Sequence, residues 1–132
     1  MTNEALVKKA IEAREKSYSP YSAFAVGAAL LTEGGEVYTG ANIESSSYTT
    51  TVCAERVAFF TAVHKGERNF KRIAIVGAKR GEAINALTAP CGVCRQVMAE
   101  FCDMDFTVIL GKNSEETKSF TLGELLPHSF GL

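Results

Sequence analysis

Cys91 and Cys94 are separated by two residues, and within a helical turn that spacing sets two thiols on one face. Two thiols so placed suit one tetrahedral zinc ion. Cys53 falls at another expected helix start, so three thiols meet if two helix N-termini converge, where the positive ends of both helix dipoles favour thiolates. Three protein ligands leave one coordination position open, as catalytic zinc sites do. Cys102 stands eight residues beyond Cys94, about 12 Å along a continuous helix, against zinc–sulfur bonds of about 2.3 Å, so it is excluded from that cluster. Two other readings stand beside the metal: a redox dithiol at a helix N-terminus, which leaves Cys53 without a role, and plain burial of small apolar thiols.

Three thiolates on one zinc give the site a net negative charge, which weakens the metal as a Lewis acid. Arg56, three residues after Cys53 on the same helical face, can hydrogen-bond thiolate sulfur and offset that charge. Arg95, next to Cys94, is the weaker choice. Glu55 would point away from Cys53 in mid-helix, but at a helix end both side chains can reach past the terminus toward a common point. A carboxylate in an apolar helix is costly unless paired or functional, so Glu55 reads either as a general acid/base or as the partner of Arg56 in a salt bridge.

These residues need elements to hold them. Leu6, Val7, Ala10, Ile11 and Ala13 recur at helical spacing from Asn3 to Lys16, giving a surface helix that Thr2 or Asn3 can cap. Phe24 to Thr32 and Val37 to Thr39, joined through Gly34 and Gly35, read as a hairpin. Cys53 to Lys65 is apolar on nearly every side and predicts a helix buried all round, ended by Gly66. Ile73 to Ala78 has the continuous apolar run of a strand covered on both faces, consistent with a parallel crossover. Pro90 is expected as the first residue of a helix running to about Cys102, with Phe106 to Leu110 as the next buried strand. Thr121 to Glu124 is a capping box whose short helix Pro127 stops. The sum is one α/β domain over residues 1–132, a three-layer sandwich around a mixed sheet of about five strands with two helices on one face.

Composition narrows the partners. Of 132 residues 46% are hydrophobic and 22% charged, which is ordinary for a folded globular chain and too apolar for a disordered one. Fourteen basic and fifteen acidic side chains give a net charge of -1, without the basic excess that binding a phosphate backbone needs. No apolar run approaches a membrane span, and the charged, amphipathic stretch from Met1 to Lys16 is unlike a signal peptide. The expectation is a cytoplasmic protein in a reducing compartment, where disulfides among the four cysteines are rare.

Cys53-Ala54-Glu55-Arg56 followed by Pro90-Cys91-Gly92-Val93-Cys94-Arg95-Gln96 resembles the cytidine deaminase family, specifically its small single-domain branch. The likeness continues from Pro20-Tyr21-Ser22-Ala23-Phe24-Ala25-Val26-Gly27-Ala28 through Asn42-Ile43-Glu44 to Leu125-Leu126-Pro127-His128-Ser129-Phe130. The resemblance implies one zinc per subunit on Cys53, Cys91 and Cys94, with Glu55 as proton shuttle rather than ligand. It implies hydrolytic deamination of cytidine and 2′-deoxycytidine to the uridines and ammonia in pyrimidine salvage, with no organic cofactor. Asn42 and Glu44 match the pair that holds the sugar 3′-hydroxyl, Phe24 the aromatic against the pyrimidine, and Ala54 a backbone group that meets the base. Tyr48 and Phe130 match positions that reach a neighbouring subunit's site in a homotetramer.

The chain departs from the family pattern in its Ser45 to Thr50 loop, where Ser45, Ser46, Thr49 and Thr50 replace the usual residues, and at Ala89, where a Ser would offer an N-cap. Three alternatives to cytidine deamination remain: a deaminase of a cytosine nucleoside antibiotic of the blasticidin S type, a non-catalytic zinc-stapled module, and a nucleic-acid-editing enzyme, which the balanced charge disfavours. His64 and His128 are assigned surface or packing roles.

Overall fold

The computed structural model describes residues 1–132. Helix α1 (Asn3–Arg14) is capped by the Thr2 hydroxyl, which accepts from the Ala5 N–H at 3.1 Å. Strands β1 (Phe24–Thr32) and β2 (Val37–Ala41) form the hairpin, and α2 (Ala54–His64) leads into β3 (Phe70–Lys79). Helix α3 (Gly92–Phe101) is followed by β4 (Thr107–Gly111), β5 (Thr117–Thr121) and the short α4 (Leu122–Leu125) with its full capping box. The five strands lie in the order β2-β1-β3-β4-β5. Only β3 and β4 are parallel, joined by the α3 crossover; the other three pairings are antiparallel.

Both sheet faces are covered, which explains the unbroken apolar runs. Ala28, Leu30, Ile73, Ile75, Val108 and Leu110 point to one side and pack on Ala58, Phe59, Ala62 and Met98 of α2 and α3. The alternating positions Ala29, Leu31, Ala74, Val76 and Ile109 point to the other and meet Leu6, Val7 and Ala10 of α1. The arrangement is the three-layer sandwich expected, with two helices on one face. No helix is long and apolar enough to cross a membrane.

Several local expectations need correction. Helix α2 is not buried all round: Ala54, Glu55, Ala58, Phe59 and Ala62 form a buried stripe, while Phe60 is 48% exposed. Pro90 lies outside α3, because Cys91 is the N-cap and its sulfur accepts from the Cys94 N–H at 3.4 Å. The cap is therefore a cysteine, and Ala89 does not occupy that position. Strand β5 has the exposed, polar sequence Thr-Lys-Ser-Phe-Thr, and the pairing with β4 rather than an apolar pattern makes it a strand. Arg14 closes the helix expected to run to Lys16, and it is buried, donating from Nε to the Ala25 carbonyl and from Nη2 to those of Ala78 and Lys79.

Close packing of α2 on β2 depends on Gly40, where a Cβ would lie 2.4 Å from the Ala54 carbonyl oxygen and 2.6 Å from the Ala58 nitrogen. Those neighbours are backbone, so the helix itself must move. Gly40→Ala is expected to lower stability by about 1–3 kcal/mol, read as a fall in the denaturant midpoint at unchanged slope, because the displaced turn is the one carrying Ala54 and Glu55.

Candidate metal centre and active site

Cys53 is the N-cap of α2 and Cys91 the N-cap of α3, both in extended backbone, and Cys94 lies in the first turn of α3. The two helix starts converge on one point. Cys53 Sγ lies 3.6 Å from Cys91 Sγ, Cys91 Sγ lies 3.4 Å from Cys94 Sγ, and all three sulfurs lie within 4.8 Å of one another. Tetrahedral zinc–sulfur bonds of about 2.3 Å put ligand sulfurs about 3.8 Å apart, so the donors fit one zinc ion. All four cysteines are free thiols, and Cys102, the C-cap of α3, lies outside the cluster. Burial pushes its thiol up to about 12.

The surroundings favour thiolate. The Cys94 thiol first, then Arg56 and Cys91, hydrogen-bond Cys53 and hold it down at about 5 against the cost of its burial. Cys94 is shifted the other way, upward, by that same bond to Cys53 and by desolvation. The Arg56 Nη2 lies 3.5 Å from Cys53 Sγ and 3.4 Å from the Thr51 carbonyl oxygen, while its buried Nε has no partner. Arg56 forms no salt bridge with Glu55. Arg95 turns away instead, donating to the Pro90 and Leu125 carbonyls at 2.8 and 2.6 Å.

Glu55 is 3% exposed, and its Oε1 is buried without a hydrogen-bond partner. Leaving such a group unpaired costs about 1–3 kcal/mol, which is intelligible where a visiting group supplies the missing bond. Burial, and behind it the charge on Cys53, pushes its carboxyl up to about 7, close to where a proton shuttle works best at neutral pH. Glu55 borders a cavity of about 170 Å³ whose wall also includes Val26, Asn42, Thr51, Cys53, Ala54, Thr88 and Cys91.

The structure thus brings Asn42, Ala54 and Glu55 together with two of the cysteines around one space. Glu44 and Tyr48 border a second pocket of about 340 Å³ with Tyr21, Ser22 and Thr51. Thr51 lines both, so the two pockets adjoin. Glu44 accepts from the Tyr21 and Ser22 N–H groups at 2.9 and 3.1 Å and from the Ser22 hydroxyl at 2.5 Å. Phe24 is absent from the cavity wall. Its Cε2 lies 2.9 Å from where a Cβ on Gly77 would sit, a point also approached by Thr88 of the wall. Val26, two residues along the same face of β1, lines the wall, and no residue type or spacing marks it for that position.

Tyr48 is 73% exposed in left-handed backbone (φ 58°), with its ring edge-on to Tyr21 at 6.2 Å. The hydroxyl-rich loop around it holds itself in place: Ser47 Oγ lies 2.9 Å from Thr50 Oγ1, and Thr51 Oγ1 accepts from the Ser45 N–H at 3.0 Å. Phe130 is also exposed, its carbonyl accepting from Gln96 Nε2 at 3.2 Å, and in the single chain it does not touch the cavity. Thr51, Thr88 and Val26 were missed from sequence because no residue type or spacing marks them; the tertiary fold alone puts them on the wall.

Two helix starts that bring three thiols together, two of them on the wall of a cavity that also holds a buried, protonatable glutamate, define a zinc-dependent hydrolytic site on an α/β sandwich. Residues 1–110 match the family described as the cytidine and deoxycytidylate deaminase zinc-binding region, and the chain belongs to that family. It is 48% identical over 130 residues to the cytidine deaminase of Halalkalibacterium halodurans, covering 98% of this chain and 95% of that one. The corresponding figures for the Sporosarcina psychrophila cytidine deaminase are 47%, 98% and 92%. The crystal structure of cytidine deaminase from Burkholderia pseudomallei superimposes with a TM-score of 0.89 at 44% identity, covering 98% of this chain and all of the other.

Proposed function

We propose that this chain acts as a single catalytic domain that deaminates cytidine and 2′-deoxycytidine to the corresponding uridines with release of ammonia. The observation that carries the reading is the buried, unpartnered Glu55 carboxyl at a cavity that the cysteine cluster also borders. Cys53, Cys91 and Cys94 would hold a zinc ion, which when bound would supply an activated water at neutral pH.

The chain's own residues do the rest. Glu55 Oε1 takes a proton from the nucleophile and delivers it to the pyrimidine N3 as C4 is attacked. It then takes the proton of the new C4 hydroxyl and delivers it to the exocyclic amino group, which leaves as ammonia as the C4 carbonyl forms. With its pKa near 7 the same carboxyl serves as base and then as acid. The free N–H groups of the first turn of α2, Ala54 among them, face the base. Arg56 offsets the charge of the thiolates. Asn42, on the cavity wall, and Glu44, in the adjoining pocket, hold the sugar hydroxyl, and Phe24 supports the pyrimidine ring from beside Thr88.

Neither pocket is lined by a lysine or arginine, and the second carries the Glu44 carboxylate. That lining suits an uncharged nucleoside and offers a 5′-phosphate no cationic partner. Cytidine turnover, followed as loss of ultraviolet absorbance, should depend on zinc, and kcat/KM for cytidine 5′-monophosphate should be at least about 100-fold lower, a like-charge contact costing several kcal/mol. Absence of cytidine turnover by zinc-loaded protein would overturn the assignment.

The exposed Tyr48, Phe130, Phe60 and Val93 support assembly into a homotetramer in which Tyr48 and Phe130 reach a neighbouring cavity. Sedimentation at micromolar concentration should give four chains per particle; a monomer would exclude it. Four free thiols fit action in the reducing cytoplasm.

A further inference from the structure

Ser17 and Ser19 are buried polar residues, 7% and 2% exposed, in the turn after α1, and the chemistry described so far gives them no role. Their hydroxyls form a line that ends on Asn42. Ser17 Oγ lies 2.5 Å from Asn42 Oδ1 and 3.1 Å from Ser19 Oγ, and Arg80 Nη2 lies 3.0 Å from Ser19 Oγ and 2.6 Å from the Ser17 carbonyl oxygen. Asn42 Oδ1 can only accept, and at 2.5 Å it is the nearer of the two acceptors open to the single Ser17 hydroxyl proton, the other being Ser19 Oγ at 3.1 Å. Arg80 donates to both Ser19 Oγ and the Ser17 carbonyl, so it fixes the turn that carries Ser17.

The amide at the end of this line is saturated on its oxygen. Asn42 Oδ1 also accepts from the Val26 N–H at 2.9 Å, and Nδ2 gives one proton to the Phe24 carbonyl at 2.9 Å. One Nδ2 proton is left, on a residue that lines the cavity. Asn42 thus offers its visitor a donor and no acceptor. Glu44, two residues along the chain and lining the adjoining pocket, has two oxygens accepting three hydrogen bonds and retains acceptor capacity. A donor from Asn42 and an acceptor from Glu44 would together complement a hydroxyl group.

We propose that Ser17, in a turn fixed by Arg80, is a positioning residue that makes Asn42 a donor-only contact for the sugar hydroxyl and so sets the enzyme's demand for that hydroxyl. This rests on the deaminase reading above. The test compares kcat/KM for 2′-deoxycytidine and for 2′,3′-dideoxycytidine, which differ only in the 3′-hydroxyl, in wild type and in Ser17→Ala. The wild-type preference for 2′-deoxycytidine should fall about fivefold in Ser17→Ala, the effect of one net hydrogen bond, entirely through KM for 2′-deoxycytidine, with the dideoxynucleoside unaffected. Ser17→Cys, which keeps the shape with a weaker donor, should give a smaller loss in the same direction, and this second variant serves if Ser17→Ala folds poorly. Equal losses for both nucleosides, or no change for either, would overturn the proposal and reduce the serines to a structural role. A wild-type enzyme that deaminates both nucleosides equally well would remove the hydroxyl contact, and the proposal with it, while leaving the deaminase assignment standing. Failure of wild type to deaminate either would remove that assignment and the proposal together.

Discussion

Glu55→Gln is expected to lower kcat for cytidine by about 10³-fold while KM changes little, because a positioned proton carrier contributes some 10²–10⁴-fold and acts on the transition state more than on the bound nucleoside. The substitution keeps shape and buried volume but removes the ability to accept and return a proton. Glu55 is not among the three sulfur donors, so the variant should retain its zinc, measured by metal analysis after dialysis. It should also keep a thermal midpoint close to that of the wild type, since Oε1 makes no hydrogen bond that the change could break. Together these results separate a shuttle from a structural carboxylate. Activity within tenfold of the wild type, at full zinc occupancy, would show that another group moves the proton.

How far this arrangement could be read from sequence depends on which interactions are local. The spacing of Cys91 and Cys94 states its own geometry, because both fall in one helical turn, and the placement of Cys53 and Glu55 followed from helix-end geometry. The alternating burial of β1, β3 and β4 was legible for the same reason: each strand's pattern reports the two faces covering it. What escaped was set by distant partners. Strand β5 carries no apolar signal and exists because β4 offers it an edge. The one-sided burial of α2 was hidden because Phe60 and Val57 are as apolar as the residues facing the sheet. Pro90 looked like a first helical residue, yet the sulfur of Cys91 caps the helix one position later, and a metal-binding cysteine is not the usual capping residue. The Ser17 bond to Asn42 joins positions 25 residues apart through an ordinary serine, which a single sequence gives no reason to notice.

Removal of one sulfur should have an effect of comparable size by another route. Cys94→Ala leaves two donors on the cluster, and the loss in metal affinity should exceed the roughly 10–100-fold that follows removal of an outer-shell partner. Zinc content after dialysis should fall from about one per chain toward zero, with cytidine turnover falling in proportion. Stability should follow, because a ligand that binds only the folded chain adds about 2.7 kcal/mol at a concentration 100 times its Kd, corresponding to roughly 10 °C in thermal midpoint for a domain of this size. Cys94 is fully buried beside Met98, so the missing sulfur alone would cost some packing energy. A chelator distinguishes the two causes: it should lower the midpoint of the wild type and leave that of Cys94→Ala unchanged, since the metal's contribution cannot be removed twice. Cys102→Ala makes the same chemical change at a half-buried thiol outside the cluster, and should keep both its zinc and its response to the chelator. A Cys94→Ala protein that still binds zinc stoichiometrically and loses stability to the chelator would place the metal elsewhere, and the convergence of the two helix starts would then need a purely structural explanation.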